Sequence, residues 1–289
     1  MAVVPDFLRR AVPFSSMSTI GTGGPAAYVA DCTTEAMVAD ALAFADAEDL
    51  PVFVVGAGSN LLPPDEGFPG VVIRLRAGLN DVTVVGDTVI AGGGASLPKV
   101  ARRAGKAGLA GLEWGVQVPG TVGGAVRMNA GSYGGDVSQS LLWADVAGEG
   151  RREADGLDFA YRHSNIGPRD VVVAAAFRLP RGDVDAIAAR LEELRQQRIA
   201  TQPRGVKTFG STFKNPPDRP ATAGMLLDRA GCRGLRVGGA HFSEKHANFV
   251  ENDAGATTAE VAELIELARG RVRVAFGVEL ETEVIRRFG

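Results

Sequence analysis

Cysteine is nearly absent. Cys32 and Cys232 are the only two in 289 residues, and neither belongs to a CxxC pair. A zinc knuckle and a dithiol redox centre are therefore excluded. Two buried, reduced thiols are expected instead of a disulfide. Positive charge is also short: Lys and Arg number 31 against 34 Asp and Glu, the net charge is −3, and no basic run stands out. Nucleic acid is not the expected partner of such a chain. Long apolar runs are missing too. The longest, Val171 to Phe177, is far short of the roughly 20 residues of a membrane span. The first residues, MAVVPDFLRRAVPFSS, carry no apolar stretch after their charges, so they do not read as a secretory signal. A cytoplasmic protein without a membrane partner is the expectation. Of three histidines, His241 and His246 lie five apart with no further ligands in register, so no metal is expected and a structural hydrogen-bonding role is preferred. The sequence is silent on oligomeric state.

Glycine is what the chain has in excess: 38 residues, well above the usual share of about 7%. The glycines cluster without a period, which excludes collagen-like and repeat folds. The densest cluster is VPGTVGGAVRMNAGSYGG, from Val118 to Gly135. Its glycines alternate with Val122, Ala125, Val126 and Met128, so this backbone is packed rather than a solvated linker. Packed glycines let main-chain N–H groups approach a ligand, and phosphate is the usual one.

Periodicity organises the rest. Ala26 to Ala30 reads as a strand, followed by a helix capped near Thr34 and running to about Glu48. Strands are expected at Val52–Val55, Val71–Leu75, Val82–Val85 and Val89–Ala91, then a helix from Ser96 to about Ala107. Further strands are expected at Trp143–Val146 and Val171–Leu179. The texture changes at Pro180. A charged helix follows to Ile199, then a linker, a short helix near Met225, a strand pair between Leu235 and Phe249, and a long helix whose Thr257 and Glu260 form a capping box. Leu264, Ile265, Leu267 and Ala268 give that helix its apolar face. Leu280 to Ile285 reads as a closing strand. The class is α+β: a lead-in over 1–20, a first domain of two α+β subdomains over 21–182, and a smaller α+β domain over 183–289 whose last strand returns to the site.

Two loops and three short clusters carry chemistry. GAGSNL, comprising Gly56, Ala57, Gly58, Ser59, Asn60 and Leu61, follows an apolar strand. It is neither a Rossmann GxGxxG, because Leu61 stands where the third glycine belongs, nor a P-loop. Taken alone it also fits a turn in which glycine is merely required sterically. In the second loop Pro119 fixes the entry, Gly120 allows the turn, and Thr121 offers a hydroxyl. Gly123, Gly124 and Ala125 open a helix running to about Asn129. Two such loops suit one large diphosphate-containing ligand held at two places. Arg162, in YRHS after a helix start at Leu157, can clamp a carboxylate or phosphate, or be a surface arginine. Ser211, in GSTFKNP, is a turn serine or a hydroxyl able to protonate a carbanion. No GxSxG elbow accompanies it. Glu281 and Glu283 share one face of the expected last strand, and either could be an acid in a site.

The ordered set GTGGPAAYVA, VVGAGSNLL, GLAGLEWGVQVPGTVGGAVRMNAGSYG, YRHS, GSTFKNP, SEKHANFVEN and LETEV resembles the UDP-N-acetylenolpyruvoylglucosamine reductases over nearly the whole chain. The resemblance implies an FAD-binding domain of the vanillyl-alcohol-oxidase (PCMH) type before a substrate-binding domain. It implies non-covalent FAD on both glycine loops, with NADPH as hydride donor and a nucleotide-sugar substrate. It assigns catalysis to Arg162, Ser211 (proton donor) and Glu283, and contacts with the uridine diphosphate portion to Asn215, Lys214 and Arg198. The only tyrosines are Tyr28, Tyr133 and Tyr161, so the likeness is to the shorter form without a tyrosine-bearing C-terminal insertion. Gly21 stands where an arginine is common. Competing readings are a carbohydrate or alcohol oxidase on the same scaffold, which would not need Ser211, and a non-catalytic nucleotide-sugar binder, which would not need the trio.

Overall fold

A computed structural model describes residues 3–286 and 288. Met1 and Ala2 of the expected lead-in, and Arg287 and Gly289 of the expected second domain, lie outside the described residues.

The first subdomain holds β1 (Leu8–Pro13), β2 (Pro25–Cys32), α1 (Glu35–Ala47), β3 (Val52–Val54) and β4 (Phe68–Leu75), with strand order β1-β2-β4-β3. β2, β4 and β3 run parallel, and β1 adds an antiparallel edge. β1 falls inside the expected lead-in. Its sequence LRRAVP shows no alternation, because an edge strand exposes four of its six side chains. The hydroxyl of Thr34 accepts from Met37 N to cap α1, and the helix buries Val38, Ala41, Phe44 and Ala45.

The second subdomain follows: β5 (Val82–Val85), β6 (Thr88–Gly92), α2 (Leu97–Lys106), α3 (Val122–Arg127), the two-residue strands β7 (Gly131–Ser132) and β8 (Gly135–Asp136), β9 (Leu141–Val146), β10 (Gly150–Glu153) and β11 (Val172–Arg178). Its antiparallel sheet runs β10-β9-β11-β6-β5. Val172 to Phe177 of β11 form its central strand, and this near-continuous apolar run is covered on both faces. The helix expected to start at Leu157 does not form. A short 3-10 turn ends there, and Asp158 adopts the left-handed conformation that stops it.

α4 (Val184–Thr201) lies beyond the expected boundary at 182, yet packs on α2. Glycine makes that approach possible: a Cβ on Gly105 would stand 2.9 Å from Ile187 Cγ2 and 3.1 Å from Leu191 Cδ1. The last unit contains α5 (Ala223–Arg229), β12 (Arg236–Val237), β13 (Ala240–Phe242), β14 (Val250–Asn252) and α6 (Thr258–Phe276). The capping box on Thr257 and Glu260 is formed, and α6 buries Val261, Leu264, Ile265, Ala268 and Val272. Leu267, expected on that face, is exposed.

The expected closing strand is not a strand. Thr282 bridges to Phe213 and Ile285 bridges to Leu61, one contact in each lobe. The segment crosses between the lobes, so no single edge lies beside it long enough to form a ladder. Cys32 and Cys232 are both free and buried. Burial, with Asp31 and Asp40 adding, pushes the Cys32 thiol up to about 12, and burial raises Cys232 as well. No helix among the described residues is long and apolar enough to cross a membrane.

Candidate active site

A cavity of about 270 Å³ is lined by the whole 56–61 loop, by residues of 117–132 and by Arg162, Arg198, Ser211 and Glu283. Gly56 to Leu61 leave the carboxyl end of the parallel strand β3, where open α/β sheets place ligands. The two glycine loops abut. A Cβ on Gly56 would stand 2.3 Å from Thr121 Oγ1, and the Ser59 hydroxyl donates to Pro119 O. Gly58 is left-handed (φ +68°), and a Cβ there would lie 1.9 Å from Met17 O.

No backbone N–H from Gly56 to Leu61 is hydrogen-bonded to another described residue. A run of main-chain donors facing a cavity is an anion nest. The diphosphate of FAD fits it: six donors, no side chain in the way at Gly56 or Gly58, and the Arg127 guanidinium on the same cavity wall. The side chains of Arg127 and of a second cavity arginine, Arg198, form no hydrogen bond or ion pair with the described residues. Burial lowers the pKa of both; Asp170 opposes this at Arg127, and at Arg198 Tyr133 opposes it while Arg204 adds to it.

Arg162, Ser211 and Glu283 come together from three parts of the chain. Arg162 sits in a tight turn closed by reciprocal backbone bonds between Ala160 and His163. Its own φ is +57°, a left-handed conformation costing a non-glycine residue on the order of 1 kcal/mol. The guanidinium donates from Nε to Glu283 Oε1 at 2.7 Å and from Nη2 to Gly131 O at 2.8 Å. Both side chains are mostly buried, at 18% and 17% exposed. Glu283 is held along its backbone: its N–H donates to Thr212 O at 2.8 Å, and Asn60 Nδ2 donates to its carbonyl at 3.1 Å. Glu281, expected on the same face, points outward to Lys214. The two side chains do not share a face because the segment is irregular and not a strand.

Asn248 fixes the Ser211 turn. Its carbonyl accepts from Thr212 N, its Oδ1 accepts from Phe213 N, and its Nδ2 donates to Phe213 O. His246 packs beside it against Phe249, with ring centroids 4.7 Å apart, and accepts from Asn248 N. His241 contacts Arg236. Among the described residues no group of His, Cys, Asp or Glu could hold a metal ion.

Several expected contacts are not brought into the cavity. Asn129 is buried and left-handed (φ +38°) at the end of α3. Its Nδ2 donates to Ala160 O and its Oδ1 accepts from Ser138 N, so it supports the Arg162 turn, and it does not line the cavity. Gly123 faces an adjoining recess of about 40 Å³, and its N–H donates to Gly93 O. Lys214 Nζ pairs with Glu281 Oε1 at 2.6 Å. Asn215 Oδ1 accepts from Ala223 N. These two side chains are engaged elsewhere and do not line the cavity, whereas Arg198 does. Gln117, Arg127 and Gln202 also line the cavity, beyond the residues expected from the sequence. Arg127 sits inside the quoted glycine motif, and a lone charge in an otherwise uncharged loop was the signal for it. Gly21, left-handed at φ +75°, has Lys207 against it, so a side chain there would meet both strain and Lys207 Cδ at 2.9 Å.

Comparison with known proteins agrees with this architecture. Residues 25–148 match the FAD binding domain family, and residues 202–286 match the family "UDP-N-acetylenolpyruvoylglucosamine reductase, C-terminal domain". The reductase of that name from Azorhizobium caulinodans is 44% identical, covering 99% of this chain and 94% of its own. That from Acidiphilium cryptum is 43% identical, covering 100% and 94%. The crystal structure of the Thermus caldophilus enzyme, MurB, superposes with a TM-score of 0.83 at 34% identity, covering 97% of this chain and 99% of that one. Sequence likeness over full length, a shared fold and a site with the expected trio lead to one conclusion: the chain belongs to the UDP-N-acetylenolpyruvoylglucosamine reductase family.

Proposed function

We propose that this protein reduces UDP-N-acetylglucosamine enolpyruvate to UDP-N-acetylmuramate, with NADPH as reductant and non-covalent FAD, in the cytoplasm, for peptidoglycan precursor synthesis. The observation that carries the reading is that one cavity joins both glycine loops to Arg162, Ser211 and Glu283.

When bound, FAD supplies two-electron transfer from NADPH to C3 of the enolpyruvyl group. Gly56 to Leu61 hold its diphosphate through their free N–H groups. Arg162 has Nη1 left over after its bonds to Glu283 and Gly131, and directs it at the substrate carboxylate. There it stabilises the negative charge that builds as C3 gains its hydrogen, without reorganising. Ser211 delivers the Oγ proton to C2, which completes reduction of the double bond, and solvent reprotonates Oγ. Glu283 fixes the plane of the guanidinium and polarises the enolpyruvyl group from the same side. Arg198 meets the substrate diphosphate. The oxidase reading leaves Ser211 and the Arg162–Glu283 pair without a task.

The test is the visible spectrum of the purified protein without oxygen. Bleaching of the flavin by NADPH, then recovery on adding the enolpyruvyl sugar nucleotide, is expected. Bleaching with no recovery would reopen the substrate. A protein that cannot be reconstituted with FAD would overturn the reading.

A further inference from the structure

Arg127 is a half-buried cation whose side chain has no ion-pair partner among the described residues. It ends α3, its guanidinium carbon lies 5.8 Å from the centroid of the Phe53 ring, and its side chain forms no hydrogen bond or ion pair with any described residue. The carboxylate that acts on it, Asp170, is engaged with Arg152 at 3.3 Å and with Gly167 N. Drawing a guanidinium part of the way out of water without a partner has a cost, and the ring face of Phe53 offsets only some of it. An anionic ligand would complete the site.

Its position identifies which ligand. Arg127 lines both the main cavity and the recess formed with Gly93, Gly94, Gly123 and Asp170. Arg162, Arg198, Ser211 and Glu283 line the main cavity alone. The recess therefore opens on the side where only the FAD-binding domain contributes. Gly56, the first residue of the donor loop, borders both spaces as well. Resting on the FAD reading of the cavity, we infer that Arg127 binds the diphosphate of FAD at its adenosine end, and so makes this protein select FAD over flavins that lack a diphosphate. Arg127 is a positioning residue; it does not touch the reacting atoms.

The experiment strips the flavin and titrates apo-protein with FAD and, separately, with riboflavin, following flavin fluorescence. A charged hydrogen bond is worth about 1.5–3 kcal/mol, which is about 10- to 100-fold in Kd. Arg127→Met should weaken FAD by that factor and leave riboflavin unchanged, and Arg127→Lys should fall between. ADP should compete with FAD on the wild type and lose that ability on Arg127→Met. Equal weakening of FAD and riboflavin would make Arg127 structural, and unchanged FAD affinity with a raised KM for the sugar nucleotide would assign it to the substrate. Either result overturns the inference. If Arg127→Met does not fold, Arg127→Lys and the salt dependence of wild-type FAD against riboflavin binding carry the same comparison. Failure of wild-type apo-protein to bind any flavin would overturn the FAD reading itself.

Discussion

Arg162 and Glu283 are 121 residues apart in the chain and meet with Nε 2.7 Å from Oε1. The arginine belongs to a turn between β10 and β11, the glutamate to the segment that crosses between the lobes. Their pairing joins the two lobes at the cavity.

Removing the charge of Glu283 separates these roles. Glu283→Gln keeps the shape and an acceptor for Arg162 while losing the anion. Turnover of the enolpyruvyl substrate should fall by about 10²–10⁴, with FAD content unchanged in the absorbance spectrum. Arg162→Lys keeps charge but cannot hold Glu283, Gly131 and a substrate carboxylate at once, and should show a comparable loss. Wild-type turnover in either variant would remove the pair from the mechanism.

Ser211→Ala should split the two half-reactions. In stopped-flow measurements flavin reduction by NADPH is expected to stay near the wild-type rate, while reoxidation by the sugar nucleotide slows about 10²-fold or more. Loss shared equally between the halves would show the serine only shapes its turn.

Asn129→Ala deletes the bonds to Ala160 and Ser138 inside a buried site. It should lower unfolding free energy by about 1–3 kcal/mol, read from urea denaturation. It should also slow turnover, because the Arg162 turn loses its support. FAD affinity should hold, since the side chain makes no cavity contact.

Gly58→Ala adds a Cβ that would meet Met17 O, at a left-handed φ. FAD binding, followed by fluorescence quenching, should weaken tenfold or more on the scale of the about 1–3 kcal/mol such strain costs. An alanine variant with normal FAD affinity would show that the loop conformation is not what holds the diphosphate.

His246 gives a pH dependence. Burial first, then Arg233, holds its pKa below the ordinary value of 6.5. The unfolded chain therefore binds a proton that the folded one refuses, so stability rises with pH through this range. Denaturation midpoints should be constant above the unfolded-state pKa and decline as pH falls below it, until the folded pKa is passed. His246→Gln should flatten that decline. An unchanged slope would assign it to other groups.

Local features were legible in the sequence because they depend on near neighbours. The caps at Thr34 and Thr257, the strand runs of β3 and β11, and the positive-φ glycine of GAGSN are each fixed within a few residues by sterics and hydrogen bonding. The resemblance named Arg162, Ser211 and Glu283, and the chain alone supplied their chemical types.

The sequence by itself determined two glycine turns, every α-helix except the one expected at Leu157 that does not form, and most strands, because propensity and periodicity act over one or two turns of chain. Only the tertiary structure decided the site. It put Glu283 inward and Glu281 outward on an irregular segment, where no period applies. It spent Asn129 and Asn215 on backbone partners, because buried main-chain groups must be satisfied wherever packing leaves them. It placed the Arg127 guanidinium beside Phe53 with no hydrogen bond or ion pair among the described residues. Each of these outcomes depends on contacts between lobes or across distant segments, and no local pattern encodes them.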